Sequence, residues 1–84
     1  MQLMEEQPFR IADIYVPMGQ RKALDPAAVE RIAEGMLEGN RRPPILVRKD
    51  GERFVLVEGV HELEASKALG DDTIMGLLVQ GRPR

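Results

Sequence analysis

The stretch 58–70 constrains the fold of this chain more than any other part of the sequence. It starts at the end of an apolar, β-prone run and passes through Gly59. It continues into a segment in which Ala65, Ala68 and Leu69 recur at helical spacing, and its last residue is a glycine. Glycine adopts backbone conformations that other residues disfavour, and it commonly ends helices. We therefore predict a strand, a glycine turn and a short helix whose first turn is a candidate binding site.

Another helix is predicted to begin at Asp25-Pro26. The aspartate carboxylate can accept a hydrogen bond from a first-turn N–H group, and proline at the first helical position gives up a donor that the helix could not use. Apolar residues then recur with helical period: Val29, Ile32, Ala33, Met36 and Leu37. Gly39-Asn40 tolerates the left-handed conformation and is expected to end the helix.

Two apolar runs, 45–49 and 53–58, flank Asp50-Gly51-Glu52, and Pro43-Pro44 gives the first run an extended entry. Asp-Gly between β-prone runs is a strong hairpin signal, so we predict a β-hairpin. The second run is apolar at successive positions, which is typical of a strand buried on both faces.

The remaining elements are a strand within 9–16, a loop at 17–22 and a final strand at 73–79. The predicted order is β-α-β-β-α-β, which indicates a small α+β fold with two main helices packed on a small mixed sheet. We expect a single domain over residues 1–84, with flexible ends at 1–8 and 80–84.

Composition excludes several classes of function. The 84 residues include no cysteine, which rules out disulfides, thiolate metal sites and a cysteine nucleophile. No apolar run approaches the length needed to cross a bilayer, and the acidic start lacks the features of a secretory signal. We expect a cytoplasmic protein without a membrane partner. The net charge of −2 gives no overall basic field for nucleic acid.

The basic residues are unevenly distributed, and six of them are candidate contacts for nucleic acid or a partner protein: Arg21, Lys22, Arg41, Arg42, Arg48 and Lys49. Lysine and arginine clusters of this kind can neutralise phosphates. They are also found as solvated charge on the exposed surface of a hairpin. We favour solvated charge, and the phosphate-contacting surface is the alternative.

The start of the second helix carries the other candidate chemistry. Free N–H groups in a first helical turn favour an anion, and a preceding glycine allows its close approach. His61, the only histidine, is interpreted as a hydrogen-bonded structural residue, with a general base as the alternative. Glu58, Glu62 and Glu64 are explained by the helix dipole; the alternative is a cation site or an acid/base pair. We predict no metal site and assign no catalytic residue.

Three local patterns together resemble the ParB/sulfiredoxin superfamily, whose small domain stands at the N-terminus of partition proteins and is also labelled ParB-like nuclease. They are residues 24–29 at the start of the first helix, 43–47 at the start of the hairpin, and 59–70 followed by Thr73-Ile74. The resemblance covers nearly the whole chain and implies the fold predicted above.

The resemblance also implies a site. In this family an arginine after the histidine position helps to bind the phosphates of ATP or CTP, and here that position is Glu62. Sulfiredoxin catalysis needs a cysteine where this chain has Val60, so that activity is excluded. Of the positions matching phosphate contacts in the first helix, Arg31 alone could still serve. The candidate nucleotide- or anion-binding residues are Gly59, Val60, His61, Glu62 and Arg31.

Taken together, these features favour a non-catalytic nucleic-acid-associated or regulatory binding module with a degenerate nucleotide site. Such a module requires no cofactor, and its candidate partners are DNA or another protein. The alternative is a divergent nucleotide-binding, nucleotide-hydrolysing or nuclease-like enzyme that uses the turn at 59–62.

Overall fold

A computed structural model describes residues 5–80 of the chain. Within them, eight helices and strands follow one another: β1 Gln7–Arg10, β2 Ile14–Tyr15, α1 Met18–Lys22, α2 Pro26–Leu37, β3 Ile45–Asp50, β4 Arg53–Glu58, α3 Val60–Ala68 and β5 Thr73–Val79. A single turn of 3₁₀ helix, Ile11–Asp13, separates β1 from β2. The small α+β class is confirmed.

The five strands form one mixed sheet in the order β1-β5-β3-β4-β2. The β3–β4 hairpin is antiparallel, as predicted, and β1 pairs antiparallel with β5. The β3–β5 and β2–β4 pairs are parallel. Because β4 runs into α3, the start of α3 lies at the end of the sheet where β3 begins.

The sheet is strongly curled. β1 and β2 are its two edges, yet Arg10 and Ile14 are only four residues apart and can be separated by at most roughly 14 Å. The edges of a flat five-stranded sheet would lie about 19 Å apart, since neighbouring strands are about 4.8 Å apart. The rings of Phe9 and Phe54 meet edge to face across the inside of this curl, with centroids 5.0 Å apart.

The core fills the inner face of the curled sheet and is closed by α3. Its most deeply buried side chains are Ile45, Val47, Leu56 and Leu63. The main sheet contacts of α3 are with β3 and β5. The long helix α2 packs mainly against α3, has no buried residue of its own and leaves Leu37 74% exposed. The predicted α+β arrangement of two main helices on a small mixed sheet is confirmed, and α2 lies outside α3 in it.

Three boundaries also differ from the sequence predictions. The strand expected within 9–16 is broken by the 3₁₀ turn, where the N–H group of Ile11 donates to the carbonyl of Asp72 at 2.9 Å and the chain crosses to the other edge. The loop predicted at 17–22 contains the short helix α1. Gln7 and Pro8 belong to β1 rather than to a flexible lead-in. Gln80 is described, but residues 1–4 and 81–84 of the two predicted flexible ends lie outside the described residues.

Candidate ligand cleft at the start of α3

A cleft of about 420 Å³ opens at the start of α3. Its walls come from α1, the segment before β3, the end of β4 and the first turn of α3, which are distant in sequence. The lining residues are Gln20, Pro43, Pro44, Val57, Glu58, Gly59, Val60, His61 and Glu62. The four candidate residues at 59–62 thus lie together in one cleft.

Gly59 makes the turn that orients this cleft. Its backbone has φ 111° and ψ 32°, a left-handed conformation that favours glycine. A Cβ atom at this position would lie only 2.7 Å from Cγ2 of the buried Ile45. The carbonyl of Gly59 accepts the first hydrogen bond of α3, from the N–H group of Leu63 at 2.9 Å. The glycine is therefore required by both the backbone conformation and the close approach to β3.

His61 connects the cleft to the start of α2. Its Nε2 atom accepts a hydrogen bond of 3.0 Å from the backbone N–H of Asp25, and the side chain is half-buried. Asp25 in turn caps α2, because its carboxylate accepts from the N–H group of Ala27 at 3.1 Å. An Nε2 atom that accepts a hydrogen bond carries no proton. This geometry agrees with the interpretation of His61 as a structural residue that joins two helix starts.

Glu62 lies in the first turn of α3. Its carboxylate is 3.7 Å from the guanidinium of Arg42, and the two side chains are 20% and 33% exposed. Glu58 lines the same cleft. The charged groups that line the cleft walls are therefore carboxylates, and Arg42 is already paired with one of them.

The third carboxylate of this region, Glu64, is directed elsewhere. It forms an ion pair with Lys67 at 3.2 Å, one turn further along α3. Among residues 5–80, no group of three or more histidine and acidic side chains could hold a metal ion. The three glutamates that are close in sequence thus do not converge on one point.

Gln20 is a cleft residue that the sequence did not reveal. Its side-chain Nε2 donates to the carbonyl of Leu56 at 2.8 Å and lies 3.4 Å from that of Val57. β2 pairs with only two residues of β4, so the amide of Gln20 replaces a strand partner at the exposed edge of β4. No sequence signal marked it, because the segment was predicted to be a loop and its contacts are 36 and 37 residues away.

The candidate basic residues fall into two groups at opposite ends of the sheet. Arg21 and Lys22 end α1, and Arg41 and Arg42 precede β3, so both pairs lie near the cleft end. Arg48 and Lys49 lie near the hairpin turn. As neighbours on a strand they point to opposite faces: Arg48 lies opposite Val55, while Nζ of Lys49 is 5.8 Å from the ring centroid of Phe54.

Arg31, the remaining candidate, is exposed on α2 and is not among the residues that line the cleft. Arg42 is paired with Glu62, so it is not one of the unpaired basic residues.

Comparison with known proteins identifies the family. A family model described as the ParB N-terminal domain matches residues 5–82. The chain therefore belongs to the ParB N-terminal domain family, and the resemblance seen in the sequence is confirmed. A Campylobacter jejuni protein described as a probable chromosome-partitioning protein ParB is 34% identical over 62 residues. That match covers 74% of this chain and 22% of the relative, so the chain spans about a fifth of its length.

Solved structures show the same fold. Sulfiredoxin from Arabidopsis thaliana superposes with a TM-score of 0.80 at 21% identity, over 92% of this chain and 86% of that one. A C-terminally truncated chromosome-partitioning protein ParB from Caulobacter crescentus, complexed with CTP-gamma-S, superposes with a TM-score of 0.79 at 18% identity. This match covers 93% of this chain and 46% of the Caulobacter chain. At these identities the likeness concerns the fold alone.

Proposed function

We propose that this chain is a cytoplasmic, non-catalytic binding module of the ParB N-terminal type that contacts nucleic acid through exposed basic residues at the cleft end of the sheet. The observation that carries the non-catalytic part is Glu62. It stands where a phosphate-binding arginine is expected, lines the cleft beside Glu58, and pairs with Arg42.

Two electrostatic free energies decide whether the cleft attracts or repels a nucleotide: that of the helix start and that of the carboxylates. The first turn of α3 offers free N–H groups, and a helix start contributes roughly 0.3–1 kcal/mol towards binding an anion. A carboxylate about 5 Å from a phosphate charge costs about 3 kcal/mol at an effective dielectric constant of about 20. Glu58 and Glu62 both line the cleft, and only Glu62 is paired with a cation. Repulsion therefore outweighs the helix dipole.

The nucleic-acid surface is proposed to comprise Arg21, Lys22 and Arg41. All three are exposed, and they lie in the two segments that flank the cleft end of the sheet. Family membership supports this proposal, since a relative is described as a chromosome-partitioning protein. Binding through such residues would be electrostatic and would show little sequence preference, because phosphate contacts carry no base information.

Removing two of these charges should weaken DNA binding and its salt dependence. For the double variant Arg21→Ala, Arg41→Ala we expect lower affinity for duplex DNA. The slope of log K against log salt should be smaller by roughly 2, because each phosphate contact adds about 0.9 to the slope. Fluorescence anisotropy at several salt concentrations would measure both quantities.

The matched control is Arg10→Ala, Lys67→Ala, which removes the same charge from β1 and α3. It should leave the salt slope unchanged, because these residues lie outside the proposed surface. Equal loss in both double variants would indicate attraction by overall charge. Binding by the native protein that does not weaken with salt would contradict the proposal.

The alternative function is a divergent nucleotide-binding or nuclease-like enzyme at the same cleft. One observation favours it: Gly59 keeps the left-handed turn, and the first helical turn that follows it lines the cleft. A site of this shape would accept phosphate if its charge were positive. Nucleotide binding by the native chain distinguishes the two proposals.

A further inference from the structure

One stretch of β4 is paired by a side chain instead of a strand. β2 ends at Tyr15, opposite Val55, and among the described residues no strand continues along this edge of β4. Beyond that point the edge is met by the amide of Gln20, whose Nε2 lies 2.8 Å from the carbonyl oxygen of Leu56 and 3.4 Å from that of Val57. A strand edge without a partner strand can accept an extended peptide as a further strand.

The element that carries Gln20 can be displaced by such a peptide. Gln20 lies in α1, a helix of five residues, none of which is buried. Moving its amide away therefore uncovers little apolar surface and leaves the carbonyl groups of β4 without a donor. The N–H groups of an extended peptide can supply those donors, and main-chain hydrogen bonds of this kind give affinity in strand addition.

The electrostatics of the adjoining cleft select the charge of the peptide. Glu58 ends β4 and lines the cleft, and within residues 5–80 it belongs to no ion pair. Glu62 lines the same cleft, and its distance of 3.7 Å from Arg42 is long for an ion pair. The basic residues of α1 and of the segment before β3 are not among the lining residues. The cleft therefore attracts a cationic side chain and repels an anionic one.

We propose that this cleft binds an extended, basic segment of a partner protein, which pairs with the edge of β4 at Leu56 and Val57 in the place of Gln20. The segment places a lysine or arginine side chain beside Glu58 and Glu62. The prolines and valines that line the cleft contact the apolar side chains next to it. This inference rests on the proposed function, because it uses the same acidic cleft. Glu58 stays unpaired until the segment binds, so the free cleft still repels phosphate.

An NMR titration of the native chain with a synthetic peptide tests this site. The probe is a blocked hexapeptide of alternating valine and arginine, and the first control replaces each arginine by glutamate. We expect the basic peptide to give saturable shifts at the amides of residues 57–61 with Kd below about 1 mM, and the acidic peptide to give none. A second control, the basic peptide with methylated backbone nitrogens, should not bind, because it lacks the strand donors.

Variants separate the contribution of charge from that of strand pairing. Glu58→Gln and Glu62→Gln should each weaken binding of the basic peptide about threefold. Glu30→Gln removes the same charge from the exposed surface of α2 and should leave Kd unchanged. Gln20→Ala should tighten binding about threefold, because it removes the amide that competes for the carbonyl groups of β4.

The absence of shifts with the basic peptide at up to about 2 mM would overturn the proposal. It would also be overturned by equal binding of either control peptide, or by variants at Glu58, Glu62 and Gln20 that bind like the native chain. A silent basic peptide together with silent CTP and Mg²⁺ would reject this site alone. Saturable shifts with CTP would reject the proposed function, whatever the peptide does.

Discussion

Gly59→Ala is expected to lower the free energy of unfolding by about 3 kcal/mol. The left-handed backbone of this residue would cost about 1–2 kcal/mol with a Cβ atom present. That atom would also lie 2.7 Å from Cγ2 of Ile45, which is only 1% exposed and has no room to move. Overpacking of this kind costs about 1–3 kcal/mol. Urea denaturation followed by circular dichroism would measure the loss.

Gly39→Ala separates the two contributions. Gly39 also has a positive φ, 89°, but a Cβ atom there would meet nothing within 4 Å. We expect a loss of about 1 kcal/mol, from backbone strain alone. Equal losses for the two variants would mean that Ile45 does not restrict the turn and that the close approach of α3 to β3 has no energetic importance.

Leu63→Ala is expected to cost about 3 kcal/mol. Leu63 is the α3 residue that closes the core, and it is 1% exposed. Truncating a buried leucine removes its transfer free energy and leaves a cavity, for a total of about 2–5 kcal/mol. A chain of this size has a total stability of roughly 4–12 kcal/mol, so the variant should melt far below the native protein. Calorimetry or thermal circular dichroism would show the difference.

Leu37→Ala is the matched control, because Leu37 lies at the end of α2 and is 74% exposed. Its truncation should change the free energy of unfolding by less than about 0.5 kcal/mol, as is usual for surface substitutions. A loss similar to that of Leu63→Ala would indicate that α2 has a partner surface at this end. A small loss for Leu63→Ala would contradict the assignment of the core.

The fold was predictable where local chemistry determines it. Asp50-Gly51 between two apolar runs indicated the β3–β4 hairpin, and Asp25-Pro26 marked the start of α2. The segment 9–16 was predicted to contain one strand because its apolar residues alternate. In the structure these residues belong to two short strands at different edges of the sheet. No local pattern shows that a chain must turn at Ile11–Asp13 to pass from β5 to β4.

The layering of the helices was also beyond the sequence. The apolar stripe of α2 indicated a packed face, but it could not show that α3 is the main partner of that face. The sequence showed that β4 is strongly apolar. The curl of the sheet gives the two faces of β4 different surroundings, and this curl depends on the pairing of all five strands.

The candidate cleft was predictable at its turn and not at its walls. Residues 59–62 were identified from the glycine and the helix that follows. The Asp25–His61 hydrogen bond and the Arg42–Glu62 ion pair join residues 36 and 20 positions apart, and no local spacing encodes them. These contacts change the roles that we infer for the two residues. His61 is held by a backbone N–H group, and Glu62 neutralises a cation of its own chain.

The most direct test of the central claim is an NMR titration of the native chain with Mg²⁺ and CTP, followed at the amides of Gly59, Val60, His61 and Glu62. Glu58 and Glu62 together make the cleft repulsive to phosphate, so we predict no saturable shifts at up to about 1 mM nucleotide. In parallel, Glu62→Gln should reduce the repulsion, because Glu58 alone then remains, and Glu62→Arg should add a phosphate donor beside an unpaired Arg42 and give measurable binding. Saturable shifts at these amides in the native chain would contradict the account.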